Sequence, residues 1–476
     1  MTQLHDLTAL EQGELISTGK LSPVELTDHY LERIDRLNAT LGAYITVTPE
    51  IARKQAVEAE AEAAGARRED RALSPLHGVP VPVKDLNFVA GVRATQGSAA
   101  FADHIPATDD HIVTKLRAAG TILLGKTNTP EFGLPCYTEN QVAPPARTPW
   151  DLDRSAGGSS GGAGAAVASG LAPLAQGSDG GGSIRIPASV CGLYGIKPSR
   201  GRVSSGPTLY DVSGLSTSGP IARTVADAAA LLDVLSGQMP GDCYTAPALP
   251  PGETFVDYAA REPGSLRVAV LTTPPVPGIA VHPDCVAATE SAAELLASLG
   301  HRPEPLELPA DETLRRVFEQ VWAVMATQQP VDPERESVLM PLTRHLRAEG
   351  VHVSGPDFAT ALYTFRAVGA LVASLQEEYD VILTPTLAQP PAQIGGLRDD
   401  ADPAQEFANL TAFTPFTPLY NATGQPSVSL PLHWTEAGLP IGVMLGGRYG
   451  DEATLIALSA QLERARPWIS RKPPVW

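Results

Sequence analysis

The chain has 476 residues, 43% of them hydrophobic and 18% charged, with a formal net charge of −18. That length accommodates one large α/β unit or two to three ordinary domains, and the composition is globular rather than low-complexity. The acidic balance repels phosphate backbones and anionic lipid, which argues against nucleic-acid and membrane-surface partners.

Residues 7–66 read as helical. Ser22-Pro23-Val24-Glu25 supplies an N-cap, a proline at the first helical position and a capping-box glutamate, ahead of apolar Leu26, Tyr30, Ile34 and Leu37. An Ala/Glu-rich stretch over 52–66 continues as helix. From residue 76 the pattern changes to short apolar runs, with strands at 79–83 and 122–124 and a helix over 110–119 that stops at Gly120. Residues 171–175 read as a strand, and Thr224 caps a helix that runs to Leu235 and ends at Gly237. Then come a strand at 266–271, a helix over 284–299, strands at 381–384, 428–432 and 441–445, and a helix near 451–464. No element is assigned between 299 and 381. This alternation predicts an α/β layer architecture, one sheet with helices on both faces. The Pro/Gly-rich stretch 240–254 reads as a surface excursion within one domain rather than a linker.

Residues 1–6 have neither the basic nor the apolar region of a signal peptide, and no stretch of about 18 uncharged apolar residues is present. A cytoplasmic protein is expected. Cys136, Cys191, Cys243 and Cys285 form no CxxC pair and have no histidine at metal-ligand spacing, which predicts small buried thiols in a reducing compartment.

Two runs carry chemistry: Gly157-Gly158-Ser159-Ser160-Gly161-Gly162 and Asp179-Gly180-Gly181-Gly182-Ser183-Ile184-Arg185. Each surrounds serine with glycine, so backbone N–H groups can approach whatever the serine touches. The first run leads into an apolar helix at 163–169, unlike a flexible linker, and it lacks the Gly-Lys-Ser/Thr of a P-loop. It reads as a serine presented at a helix N-terminus, where orphan N–H groups favour negative charge. It also matches the G-x-S-x-G elbow of α/β-hydrolases, which requires a later histidine. The downstream histidines, His282, His301, His345, His352 and His433, have no neighbourhood that marks them as catalytic. In the second run, the N–H groups of Gly180, Gly181, Gly182 and Ser183 are candidates for an oxyanion hole. Lys84, bracketed by Val79, Pro80, Val81, Pro82 and Val83, is the candidate base. Burial would bring its pKa from about 10.4 towards neutrality. A lysine and two serines in such settings suggest acyl transfer with an amine as base, an apparatus that needs neither metal nor cofactor.

These segments resemble the amidase signature family. The matching text includes His77-Gly78-Val79-Pro80-Val81-Pro82-Val83-Lys84-Asp85, Gly125-Lys126-Thr127-Asn128-Thr129-Pro130-Glu131-Phe132-Gly133, both glycine-rich runs, Gly195-Ile196-Lys197-Pro198 and Gly219-Pro220-Ile221-Ala222-Arg223. The resemblance extends over residues 8–470 and is densest over 157–204. It implies an amidase-signature fold, α/β with a central mixed β-sheet covered by helices on both faces. The whole chain, 1–476, would be a single domain with an N-terminal helical region over about 1–70, a catalytic core over about 71–237 and a pocket- and sheet-completing region over about 260–476. Ser183 would be the nucleophile, Lys84 the base, and Ser159, after a cis peptide bond, the proton relay. Asp179 and Arg185 would hold the loop in place.

Two departures bear on specificity. The family usually has threonine where this chain has Gly180, which should widen or loosen the space beside the oxyanion loop. A Gly-x-x-x-Asn-Pro-Trp run is replaced by Pro144-Pro145-Ala146-Arg147-Thr148-Pro149-Trp150. Phe132, Leu134, Tyr137, Trp322, Phe413, Phe416 and Tyr420 are candidates to line the acyl pocket. The expected partner is a small-molecule amide, with a homodimer left open. The family branch that feels nearest holds aryl-acylamidases and hydrolases of linear and cyclic amides. Competing readings are the A subunit of a glutamine-dependent tRNA amidotransferase, an α/β-hydrolase-type esterase using Ser159, and an inactive binding module. The amidotransferase subunit usually carries Asp-Glu-Phe-Ala-Met-Gly where this chain has Thr129-Pro130-Glu131-Phe132-Gly133.

Overall fold

The computed structural model describes residues 3–208, 211–308 and 311–476. The N-terminal part supplies α1 (Ala9–Ser17), α2 (Pro23–Leu41), β1 (Tyr44–Val47) and α3 (Pro49–Glu69). The Ser22 hydroxyl accepts from the N–H groups of Val24 and Glu25, so α2 starts where its cap and proline place it. Next come β2 (Val83–Lys84), α4 (His111–Ala118) and β3 (Gly125–Thr127), then α5 (Gly161–Ala168), β4 (Leu174–Asp179), α6 (Arg185–Cys191), β5 (Tyr194–Lys197), β6 (Thr217–Ala222) and α7 (Val225–Leu235). The remainder holds α8 (Phe255–Ala259), β7 (Arg267–Val270), α9 (Pro283–Ser298), β8 (Arg302–Pro305), α10 (Glu312–Thr327), α11 (Pro341–Gly350) and α12 (Gly355–Leu375). It closes with β9 (Val381–Pro385), α13 (Pro403–Phe413), α14 (Pro418–Thr423), β10 (Ser427–Trp434), β11 (Pro440–Gly446) and α15 (Glu452–Ala465).

Eight strands form the central mixed sheet, in the order β4-β6-β5-β10-β11-β9-β7-β8. Strand β7 pairs parallel with β8 and β9, and the other neighbours are antiparallel. The main core runs through the chain from Ala9 to Trp468.

The expectation of a single sheet is corrected in one respect. The strands read at 79–83 and 122–124 belong to a separate three-stranded sheet, β1-β3-β2, and its regular pairing begins later, at Val83↔Lys126. Pro80 and Pro82 explain the delay: they have no N–H to give, so only Val81 donates across, to the Ile122 carbonyl.

This small sheet abuts the edge of β4. Gln176 N–H donates to the Pro82 carbonyl at 3.2 Å, and the Gln176 side-chain oxygen accepts from Lys84 N–H at 2.9 Å. The seam places an amine-bearing strand beside the strand that leads to Ser183.

Helices α10, α11 and α12 occupy the region left unassigned in the sequence reading. By length and composition α12 is long and apolar enough to cross a membrane. It packs through Ala361 and Phe365 into a cluster with Val317 and Val321 of α10, and it leaves Tyr363 and Leu371 exposed. Three of the cysteines are buried as expected, but Cys243 is exposed.

Candidate active site

Lys84 is fully buried at the end of β2. Its Nζ lies 2.7 Å from Ser159 Oγ, 3.0 Å from Ser178 Oγ and 3.3 Å from the Ser178 carbonyl oxygen. Burial drives its pKa down from 10.5 to about 7, and the attraction of Asp179 opposes the shift only in part.

Ser159 follows a cis peptide bond from Gly158. Its neighbour Ser160 clasps the two glycine-rich loops together. Ser160 N–H donates to the Ser183 carbonyl at 3.1 Å, and Ser160 Oγ bonds both backbone groups of Ser178. The glycines of this first loop serve packing rather than approach to a ligand. A Cβ at Gly161 would lie 2.4 Å from Thr138 Oγ1, and one at Gly162 would lie 2.2 Å from Asn128 N. Their N–H groups are already given to Thr138 Oγ1 and the Asn128 carbonyl. Helix α5 is buried on every side, and Gly161, Gly162 and Gly164 leave the space that Thr138, Asn128 and Pro187 take.

Ser183 sits between β4 and α6 at the foot of a cleft, 7% exposed. Asp179 organises the turn before it. Its carboxylate accepts from Gly182 N–H at 2.8 Å, Ile184 N–H at 3.1 Å, and Arg185 Nε and Nη2 at 2.9 and 2.8 Å. Arg185, also fully buried, holds the Thr417 carbonyl and Asn421 Oδ1 as well. This pairing keeps the Asp179 carboxyl well below the usual carboxylate range against the burial that opposes it. One oxyanion candidate is thereby engaged: Gly182 N–H points to Asp179. Among the described residues, the N–H groups of Gly180, Gly181 and Ser183 have no protein acceptor.

The cleft, about 750 Å³ with the open solvent at its mouth included, is walled mainly by apolar side chains. Leu134 and Trp322 are on its wall. Phe132, Tyr137, Phe413, Phe416 and Tyr420 are not; they are buried elsewhere. Tyr137 gives its hydroxyl to Glu406, Phe132 packs edge-on against Phe101, and Phe416 and Tyr420 cluster with Met444. Sequence reasoning missed Phe318, Phe407 and Leu410, which do line the cleft. The helices that bear them carried no motif, although the Phe318/Trp322 spacing of four was a usable signal. It also passed over Gln176 and Ser178, polar residues in an otherwise small and apolar run.

The space beside Gly180 is not open as expected: a Cβ there would lie 3.1 Å from Trp322 Cη2. Nor does the 144–150 segment reach the cleft. It runs behind α6, where Thr148 Oγ1 and Trp150 Nε1 donate to the carbonyls of Val190 and Cys191. The five downstream histidines also lie off the cleft wall.

A model of the family described as Amidase matches residues 25–456. The 6-aminohexanoate-cyclic-dimer hydrolase of Paenarthrobacter ureafaciens is 37% identical, over 98% of this chain and 96% of that protein. A solved structure of 6-aminohexanoate cyclic dimer hydrolase superposes with a TM-score of 0.91 at 34% identity, covering 100% of both chains, and the enzyme has also been solved complexed with substrate. A bacterial aryl acylamidase of the amidase signature enzymes superposes with a TM-score of 0.86 at 27% identity, covering 98% of each chain.

Proposed function

The chain belongs to the amidase family and is a hydrolase of amide C–N bonds, and from that premise we propose a stand-alone amidase that forms an acyl-enzyme on Ser183. The observation that carries this reading is the 2.7 Å contact of a buried amine, its pKa near 7, with Ser159 Oγ below the cleft that Ser183 lines.

A neutral amine has two N–H groups and one lone pair. The Ser178 carbonyl can only accept, and Ser178 Oγ takes the second N–H, so the lone pair is left for the Ser159 hydroxyl proton. Ser159, as it gives that proton to Lys84, takes the proton of Ser183, whose oxygen attacks the amide carbon. The Ser159–Ser183 link is not among the hydrogen bonds of the described residues, and bound substrate would close it, as such bonds commonly tighten in the Michaelis complex. The tetrahedral oxyanion is received by the unengaged N–H groups of Gly180, Gly181 and Ser183. The proton returns through Ser159 to the amide nitrogen, a poor leaving group until protonated. The C–N bond breaks, and water then hydrolyses the acyl-Ser183 ester.

The cleft wall favours a neutral, apolar acyl group. The charged side chains on it, Arg315 and Glu319, pair with each other at 2.5 Å and Arg315 also bonds Glu312, so the wall offers no unpaired cation for the carboxylate of a zwitterionic substrate such as glutamine. That argues against the amidotransferase-subunit reading, and the pairing of Ser159 Oγ with Lys84, with none of the five downstream histidines on the cleft wall, argues against an α/β-hydrolase esterase.

The test is product release from a panel of glutamine, aliphatic amides, an anilide, a cyclic amide and a carbamate, with Ser183→Ala in parallel. Turnover of a neutral amide that disappears in Ser183→Ala is expected. Turnover of glutamine alone, or turnover that survives in Ser183→Ala, would overturn the proposal.

A further inference from the structure

Two rings of α10 reach the triple-glycine turn with their outer edges. Phe318 and Trp322 are one helical turn apart and stacked, with centroids 5.3 Å apart and planes 19° from parallel. Each covers a different glycine. A Cβ on Gly180 would meet Trp322 Cη2 at 3.1 Å, Trp322 Cζ3 at 3.3 Å and Ser216 Oγ at 3.0 Å, and a Cβ on Gly181 would meet Phe318 Cζ at 3.2 Å. The indole is fixed at its other end, where Nε1 donates to the Leu134 carbonyl at 3.2 Å. Gly181, Ser183, Phe318 and Trp322 share the cleft wall.

We infer that Gly180 and Trp322 form a coupled specificity element: the absent side chain at 180 lets the indole reach the oxyanion turn, and the Phe318–Trp322 slab selects neutral amides whose acyl part presents a flat apolar face, an aryl group or a flattened ring. The inference rests on the amidase reading and names the substrate class of the same site. Its physical basis is twofold. A planar group laid on a ring gains offset stacking beyond its buried area. A branched group offers no such face and forgoes the stacking contribution. Neither glycine needs a left-handed backbone at this point: Gly182, not Gly180 or Gly181, carries the positive φ of the turn. Space for the rings, and at 180 also for Ser216 Oγ, is therefore what a side chain at 180 or 181 would remove.

The experiment is a double-mutant cycle of Gly180→Thr and Trp322→Ala, read as kcat/KM on an anilide of benzoic acid and on a short aliphatic amide. Each single variant is expected to lower the aryl-to-aliphatic ratio of kcat/KM about tenfold, whatever it does to both rates in common, since one stacked ring is worth roughly a factor of ten. In the Trp322→Ala background, Gly180→Thr is expected to leave that ratio nearly unchanged, because the indole it would displace is gone. An equal loss on both substrates, or a Gly180→Thr effect on the ratio undiminished in Trp322→Ala, would overturn the inference and assign residue 180 to the turn itself. Trp322→Phe, which keeps a ring, is expected to recover most of the aryl preference, and its failure to do so would count against stacking.

Equilibrium binding of benzoate and of butyrate to Ser183→Ala protein, with and without Trp322→Ala, separates this inference from the mechanism. Selective loss of benzoate supports the slab even if Ser183 is not the nucleophile. Unchanged benzoate binding refutes the slab even if the amidase reading holds.

Discussion

Lys84 offers the sharpest test because one number governs both rate and stability. Its ammonium is disfavoured by burial until the pKa falls from 10.5 to about 7. If the neutral amine is the base, kcat/KM on a neutral amide rises with pH along a limb of unit slope, bends near pH 7 and is flat above it. Activity at pH 5 should be about 1% of the plateau, tenfold lost per unit. The fall from 10.5 to about 7 corresponds to roughly 5 kcal/mol as an upper bound. The sign follows from proton binding. Between pH 7 and 10.5 the unfolded chain holds a proton on this amine that the folded chain does not, so stability rises with pH across that window, and the full penalty applies below pH 7. Lys84→Met removes the penalty and is expected to be inactive. Its stability relative to the parent should be greatest below pH 7 and decline steadily towards pH 10.5. The assays are a pH–rate profile and denaturant melts of both proteins from pH 6 to 10. An acid limb that bends above pH 9, or a Lys84→Met difference independent of pH, would refute the reasoning.

Ser159→Ala should fold normally and lower kcat by about 10²–10⁴, the usual contribution of a placed proton-transfer group, as measured by steady-state kinetics. Lys126→Met should lower stability by about 3–5 kcal/mol in a denaturant melt. It strands Asp85, whose buried carboxylate otherwise pairs with Lys126 Nζ at 2.9 Å. Glu463 is raised to about 7, mainly by burial with Asp227 adding to the effect. Its ionised form is therefore disfavoured in the fold, and the resulting penalty grows from pH 4.5 and is complete above pH 7. Glu463→Gln should raise the Tm at pH 8 and leave it nearly unchanged at pH 4.5, as followed by calorimetry.

The parts legible in the sequence are those whose chemistry is local. Ser22 and Pro23 start α2, Thr224 caps α7 and Gly120 follows the end of α4, in the chain and in the fold alike. The two glycine runs and Lys84 converge because each belongs to a long, ordered motif. The cleft wall was harder to read. Phe132 and Tyr137 are adjacent in sequence to Leu134 on the wall, yet their rings turn to Phe101 and Glu406, a choice made by residues far along the chain. Strand β6 stayed hidden because Gly219 and Pro220 look like a break. The glycine of the first run was read as access to a ligand, when what it admits is the backbone of Asn128 and the side chain of Thr138. One-dimensional text marks a glycine as necessary but does not say which neighbour requires it.

The seam between β2 and β4 has a consequence for how the protein acquires and loses reactivity. The amine belongs to the small sheet and the serine loops to the large one, and the Lys84–Ser159 contact spans 75 positions of sequence. Neither sheet carries the whole apparatus, so a chain in which the two have not docked carries only ordinary hydroxyls and an ordinary protonated amine. Reactivity switches on at the docking of Pro82 and Lys84 against Gln176. It should also be the first property lost when that junction slackens, while the helices and strands on either side still report a native spectrum.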